Sequence, residues 1–147
     1  HRDLHSFPTR RSSDLNISVR RSAAETVGGF DEQFIANAVG EDAEFCARIR
    51  RRGGIIHYSA RAALVHVQAV SGGCRTDVGA GYVRMYAYNQ NYFFRAIGGT
   101  VVGKVRGNWQ TYRRLVLNRY GIARVPVLTG AFIAGVLHGL RQPLTKF

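Results

Sequence analysis

Two adjacent acids, Glu41 and Asp42, are the residues whose type and position best suit chemistry. They begin a stretch, ending at Gly54, that has arginines near its end and glycines after them. The helix dipole favours anions at the N-terminus and cations at the C-terminus, so this order of charges predicts one helix. A carboxylate at a helix start can act as a general base. From this stretch alone, an acid that only complements the dipole is the better interpretation.

The same helix is expected to bury one side. Phe45 and Ile49 lie four residues apart and therefore share a face, with Cys46 beside Phe45. Gly53 and Gly54 favour a stop at the C-terminus, because glycine adopts the left-handed conformation cheaply.

Short elements precede and follow this helix. Residues 16–21 alternate and predict a strand, and Ser22 with Glu25 forms a capping-box pattern for a helix over residues 23–27. After Gly54, residues 55–58 and 62–67 predict two further strands, the second with His66 near its end.

Several pieces of this region occur in a defined order. They are N-I-S-V-R-R at residues 16–21, G-G-F-D-E-Q-F at 28–34, G-E-D-A-E-F-C-A-R at 40–48, Arg52-Gly53, and His66 at a strand end. Their order and spacing resemble the C-terminal half of glycosyltransferase family 2. The resemblance implies an α/β fold of the GT-A type, built on a mixed sheet and followed by C-terminal helices. On that basis residues 16–80 would be the acceptor-side part of the catalytic domain.

The resemblance also implies a reaction. A sugar would pass from a nucleotide-diphosphate donor to a hydroxyl of a sugar or lipid-linked acceptor, with inversion at the anomeric carbon. A hexosyl or rhamnosyl transferase of bacterial cell-surface polysaccharide or glycolipid synthesis is the expected enzyme. Asp42 matches the position of the catalytic base. The residues that would border the acceptor are Phe30, Asp31, Glu32 and Glu41.

A divalent cation, Mg or Mn, is implied by the same resemblance. His66 is the candidate metal ligand in this sequence, but most ligands are expected from the first half of such an enzyme. No Asp-x-Asp metal motif occurs here, and the residues that bind the donor are not assigned. We therefore expect the chain by itself to be inactive as a transferase.

Residues 1–15 differ in character from the rest. They read HRDLHSFPTRRSSDL, without apolar periodicity, and the composition changes sharply at Asn16. The stretch resembles a translated sequencing adapter, whose reading frame gives the same residues. We expect it to be non-native and exclude it from the fold, so that the native sequence would enter in the middle of a longer protein.

Residues 81–147 form a basic, aromatic-rich tail with three predicted helices, near residues 81–97, 101–120 and 122–140. About sixteen residues of the last helix lie between Arg124 and Arg141, which is shorter than a bilayer core. We therefore expect an interfacial or docking helix. No secretory signal is recognised, so a cytoplasmic protein is expected, with the inner face of the cytoplasmic membrane as its docking surface.

The net charge of +12 leaves two other classes of function open. Arginine interleaved with tyrosine and phenylalanine suits phosphate contacts and base stacking, but no nucleic-acid-binding signature accompanies it, and no nucleic-acid partner is expected. Arginine-rich helices also suit an anionic membrane surface.

A metal site built from His57, His66, Cys46 and Cys74 lacks a recognised spacing. With these two cysteines only, a reducing compartment is expected rather than a disulfide.

Overall fold

The structure is a computed structural model that describes residues 16–59, 61–62, 79–119 and 121–145. Within these residues the chain forms five α-helices, a π-helical segment that prolongs α4, and a 3₁₀ turn that leads into α5. In chain order they are α1 (Arg21–Thr26), α2 (Glu41–Arg51), α3 (Ala80–Ala96), α4 (Val101–Tyr112), the π segment (Arg113–Leu117), the 3₁₀ turn (Ile122–Arg124) and α5 (Val125–Arg141).

The predicted α/β GT-A fold is wrong for the described part of the chain. Helix accounts for 64% of these residues and none of them is in a strand. The predicted strands at residues 16–21 and 55–58 are mostly irregular and exposed; Ile55 is 74% and Tyr58 93% exposed. A strand needs a partner for its backbone N–H and C=O groups, and the described residues offer none. Apart from Ala62, the predicted strand at 62–67 lies outside the described residues.

The predicted capping box of α1 is also wrong. The helix begins at Arg21, so Ser22 lies inside it, and the N-cap residue Arg20 makes no side-chain capping bond. An exposed ion pair links Arg21 to Glu25 across one turn, with an N···O distance of 2.7 Å. Such (i, i+4) pairs stabilise a helix slightly.

Helix α2 is confirmed, together with its glycine stop. Gly53 takes the left-handed conformation, with φ of 82°. Its N–H donates to the carbonyl of Arg50 at 3.0 Å, and the N–H of Gly54 donates to the carbonyl of Ile49 at 2.9 Å. These two bonds form a Schellman motif, which satisfies carbonyls that the helix end leaves unpaired.

Helix α3 is the centre of the described structure, and its main partner is α5. The two backbones approach closely because α5 has glycines at the contact. A Cβ built on Gly135 would lie 2.2 Å from the carbonyl oxygen of Arg84, and one on Gly139 would lie 2.4 Å from that of Tyr88. The main core lies between α3, the π segment and α5, and contains Val83, Ala87, Leu115, Val116, Leu128 and Phe132.

The predicted tail helices are confirmed in this half of the chain, with two changes. The helix expected over 101–120 changes to π geometry at Arg113. The helix expected over 122–140 begins with the 3₁₀ turn, and Pro126 lies in the first turn of α5, where its lack of an N–H costs nothing.

A second, smaller cluster joins α1 to α2. Val27, Phe45 and Ile49 are buried together, with Ala24 packed against them. This cluster holds the loop between the two helices, which carries three of the six predicted site residues, Phe30, Asp31 and Glu32.

Candidate functional site

The loop between α1 and α2 has an unusual backbone. Gly28 and Gly29 take positive φ, as does Gly40 at the N-cap of α2. Ala36 and Ala38 also have positive φ, at 53° and 43°. Such values are strained for residues with a Cβ and persist only where the surroundings impose them. The conformation of the loop is therefore imposed by contacts with other parts of the chain, and not by the backbone preferences of its own residues.

Two contacts join this loop to α2. The ring of Phe30 stacks on that of Phe45, with centroids 4.4 Å apart and planes at 24°. A guanidinium N–H of Arg48 donates to the carbonyl of Val27, just before the glycine pair. The G-G-F-D-E and E-D-A-E-F sequences thus form one packed unit, which we call the loop–helix unit (residues 27–51).

A buried ion pair fixes Arg48 within this unit. Its Nε lies 2.8 and 2.9 Å from the two carboxylate oxygens of Glu44, one helical turn earlier. The side chains of Arg48 and Glu44 are 8% and 3% exposed. Because both charges are removed from water, the loss of one partner would leave the other uncompensated.

Asp31 anchors the loop to distant parts of the chain. Its carboxylate accepts hydrogen bonds from the hydroxyls of Tyr92 at 2.6 Å and Thr145 at 2.8 Å, and from the N–H of Gln33 at 3.0 Å. Burial raises the pKa of Tyr92, and its hydrogen bond to Asp31 raises it further. Burial also raises the pKa of Tyr88, which donates to the carbonyl of Gln33 at 2.9 Å.

Asn89 of α3 provides the second anchor. Its side chain accepts from the N–H of Ile35 at 3.0 Å and donates to the carbonyl of the same residue at 2.8 Å. Asn89 is fully buried. The paired bonds hold the backbone immediately before the strained Ala36, which explains how that geometry is maintained.

Asp42 lies at the start of α2, as predicted, and is half-buried. Its Oδ1 accepts from the N–H of Ala43 at 2.8 Å. One turn further on, Cys46 is a free thiol whose pKa is raised by burial and, to a smaller extent, by the negative charge of Asp42. Asp42 thus keeps one carboxylate oxygen turned to the helix backbone.

The other predicted acceptor residues are spread around the unit. Phe30 is half exposed, Glu32 is exposed, and Glu41 is half-buried beside Asp42. Asp31 points away from Asp42's helix end, toward α3, and is buried. Their roles toward an acceptor stay predictions, and His66 lies outside the described residues.

A cavity of about 210 Å³ lies beside the C-terminal half of α2. Its lining combines acids, arginines and hydroxyl groups: Asp31, Glu44, Arg48, Arg51, Arg52, Tyr92 and Thr145, together with Val27, Ala96 and Leu144. Asp42 does not line it, so the cavity and the predicted base belong to opposite ends of α2.

The anchoring residues on α3 are not identified by the sequence patterns. Tyr92 belongs there only to an aromatic-rich predicted helix, and no motif includes Asn89. Asparagines 89 and 91 are both buried in a helix that is otherwise rich in aromatic and apolar residues. A buried asparagine needs hydrogen-bond partners, which is the signal that could have located this anchor.

Among the residues that the structure describes, no group of three or more His, Cys, Asp or Glu side chains could hold the cation that the resemblance implies. The metal role of His66 and the need for Mg or Mn therefore stay predictions.

Comparison with known proteins adds no relative: no family model, no curated protein and no solved structure matches the chain. The family resemblance thus rests on the motifs alone.

Proposed function

We propose that the chain contributes acceptor-side residues to an inverting glycosyltransferase, with Asp42 as the general base. The enzyme would move a sugar from a nucleotide-diphosphate donor to a hydroxyl of a sugar or lipid-linked acceptor. The proposal concerns this chemistry and its residues; it includes no GT-A fold.

The observation that carries the proposal is the packing of the loop–helix unit. The motifs on which the resemblance depends are separated in sequence, yet they contact each other through the Phe30–Phe45 stack and the bond from Arg48 to Val27. A base must be held within hydrogen-bond reach of the hydroxyl it deprotonates. A unit clamped at its centre suits that requirement, because it fixes the helix end that carries Asp42.

In the proposed reaction, Asp42 accepts the proton of the acceptor hydroxyl as its oxygen attacks the anomeric carbon. The bond to the nucleotide diphosphate breaks on the opposite face of the sugar, and the diphosphate leaves with the electron pair. The neighbouring Glu41 would contact the acceptor, and the half-exposed ring of Phe30 would pack against a sugar face. A divalent cation, if bound elsewhere in the enzyme, would offset the charge of the departing diphosphate.

The test is saccharide binding to the full chain, measured by saturation-transfer NMR with a panel of mono- and oligosaccharides. Asp42→Asn keeps the shape of the side chain and is expected to weaken binding of the saccharide that binds wild type. Glu25→Gln, an exposed acid-to-amide change on α1, is the matched control and should bind like wild type. Absence of saccharide binding, or equal binding by both variants, would contradict the proposal.

A kinetic measurement tests the base itself. In any form of the protein that transfers sugar, Asp42→Asn should lower kcat by about 10²–10⁴-fold, the usual contribution of a general base. Its KM for the donor should change little, since Asp42 is assigned to the acceptor. A variant that keeps full activity would remove Asp42 from the reaction.

A further inference from the structure

Helix α4 has its polar and apolar sides reversed relative to a helix in a water-soluble bundle. Its side facing α3 is polar. Asn108 and Asn91 exchange two amide hydrogen bonds of 2.9 Å, and Thr111 donates to Gln90 at 2.5 Å. On the same side, Gly107 lies against the ring of Phe94.

The opposite side of α4 is apolar and exposed. Val102, Val105 and Trp109 follow each other at three- and four-residue spacing, so they lie on one face. They are 77%, 65% and 57% exposed. Arg106 and Arg113 share this face and are also exposed. We call these five residues the α4 face. A helix of a soluble protein normally packs such an apolar side against the core, because exposing it to water is unfavourable.

The surrounding charge has one sign. From residue 79 to residue 147 the sequence contains ten lysines and arginines and no aspartate or glutamate. Two of these arginines lie over aromatic rings of α3: Arg114 is 4.9 Å from the centroid of Tyr86, and Arg119 is 5.0 Å from that of Tyr82. The segment that carries the α4 face therefore contributes positive charge and no acidic side chain.

We propose that the α4 face docks on the surface of an anionic lipid bilayer. The aliphatic side chains and the indole would enter the boundary between headgroups and acyl chains, while Arg106 and Arg113 would contact lipid phosphates. The positive charge of this region favours an anionic partner. The exposed apolar side chains of the α4 face favour lipid over nucleic acid, because contacts with nucleic-acid phosphates would leave Val102 and Val105 exposed to water. This inference does not depend on the transferase reaction.

The described residues also include one helix, Ile122–Arg141, that is long and apolar enough to cross a membrane by length and composition. In the structure this helix packs along α3. Arg95 of α3 donates to the carbonyls of Gly139 and Gln142 at 3.1 and 2.6 Å, at the C-terminal end of α5. Helix α5 is thus bound along α3, whose buried side chains include Asn89 and Asn91.

Trp109 is the only tryptophan in the sequence, so its fluorescence reports on the α4 face directly. The full chain is titrated with vesicles that mix phosphatidylglycerol with phosphatidylcholine. We expect a blue shift of the emission, protection from acrylamide and flotation with the vesicles. Vesicles of phosphatidylcholine alone should bind less, and salt should reduce binding to the anionic vesicles.

Two sets of variants separate the apolar and the charged contributions. Val105→Glu should lower vesicle partitioning by at least about tenfold. The double variant Arg106→Gln/Arg113→Gln should lower it by about 25-fold, because each arginine contributes about fivefold. The matched control is Ile55→Glu, an aliphatic residue of similar exposure (74%) outside the helices, which should partition like wild type. Circular dichroism checks that each variant is folded.

Three outcomes would overturn the proposal. In the first, anionic vesicles do not change the emission of Trp109 and an oligonucleotide binds the protein tightly. That result would indicate that the positive charge serves to bind nucleic acid. The second is Val105→Glu partitioning like Ile55→Glu. The third is protein that resists carbonate extraction from the vesicles, which would indicate a spanning helix.

Discussion

Removal of the Tyr92 hydroxyl should destabilise the whole fold, because that hydroxyl joins α3 to the buried carboxylate of Asp31. In Tyr92→Phe the ring stays in place, and the 2.6 Å hydrogen bond to Asp31 is lost together with the weaker bonds of the hydroxyl to the N–H and Oγ1 of Thr145, at 3.2 and 3.3 Å. Asp31 is 4% exposed, so water cannot readily replace the donor. A hydrogen bond to a charged group contributes about 1.5–3 kcal/mol. Because Thr145 and the Gln33 N–H still donate to Asp31, we expect a loss of about 2 kcal/mol, in the lower half of that range.

Urea unfolding followed by circular dichroism measures this loss. With a slope of about 2 kcal/mol per molar urea, the midpoint should fall by about 1 M. The control is Tyr58→Phe, which removes the same hydroxyl from a side chain that is 93% exposed, and it should leave the midpoint unchanged. If Tyr92→Phe and Tyr58→Phe unfold at the same urea concentration, Asp31 does not anchor the loop through Tyr92.

The pH dependence supplies a second readout with a definite sign. The pKa of Tyr92 is raised in the folded state by burial and by Asp31, so folding favours the neutral phenol. Its contribution to stability is therefore fully present below the unfolded pKa of about 10 and is lost as the pH rises through the folded pKa. Wild type should lose stability above about pH 10. Tyr92→Phe should lose less over the same interval; the remaining slope includes Tyr88, whose pKa is also raised.

Two further substitutions test the interior of the loop–helix unit by the same urea measurement. Arg48→Met should lower the free energy of unfolding by about 3–5 kcal/mol, because it leaves Glu44 as an uncompensated buried charge. Adding Glu44→Leu should recover most of the loss, and a double variant as unstable as the single one would contradict this. Ala38→Gly should stabilise the protein by about 0.5 kcal/mol, because φ at Ala38 is 43° and glycine removes the steric cost. Ala47→Gly, inside α2, should instead cost about 1 kcal/mol, and equal losses for the two would show that Ala38 is unstrained.

The features of α2 depend on neighbouring residues and are predicted correctly, whereas the local capping-box pattern of α1 is not. The charges, apolar spacing and closing glycines of α2 are local, and the structure places the helix at Glu41–Arg51 with the expected stop. The strand predictions failed because a strand depends on a partner that local alternation cannot identify. Residues 55–58 have the apolar composition of a buried strand, yet Ile55 and Tyr58 are largely exposed. The error in fold class follows from the family resemblance, which implied a mixed sheet that the described residues do not form.

The position of Asp31 could not be predicted for a related reason. Its sequence context, G-G-F-D-E, indicates a loop acid, and the resemblance placed it beside an acceptor. In the structure its partners are 61 and 114 residues away, in α3 and near the C-terminus. No pattern of local spacing contains that information. By contrast, Asp42 was placed correctly at a helix start, since the helix signal around it is local.

The clamped middle of α2 and its N-terminal end have to be tested by different substitutions. The middle of the helix is clamped by the Phe30–Phe45 stack and by Arg48, which bonds to both Glu44 and the carbonyl of Val27. Any change there would alter stability and the position of Asp42 together, so lost activity in such a variant would not identify a base. Asp42 itself makes one short-range bond, to the adjacent N–H of Ala43, which an asparagine oxygen can also accept. Asp42→Asn should therefore leave the urea midpoint nearly unchanged, and any effect it has on saccharide binding or transfer can be assigned to the carboxylate.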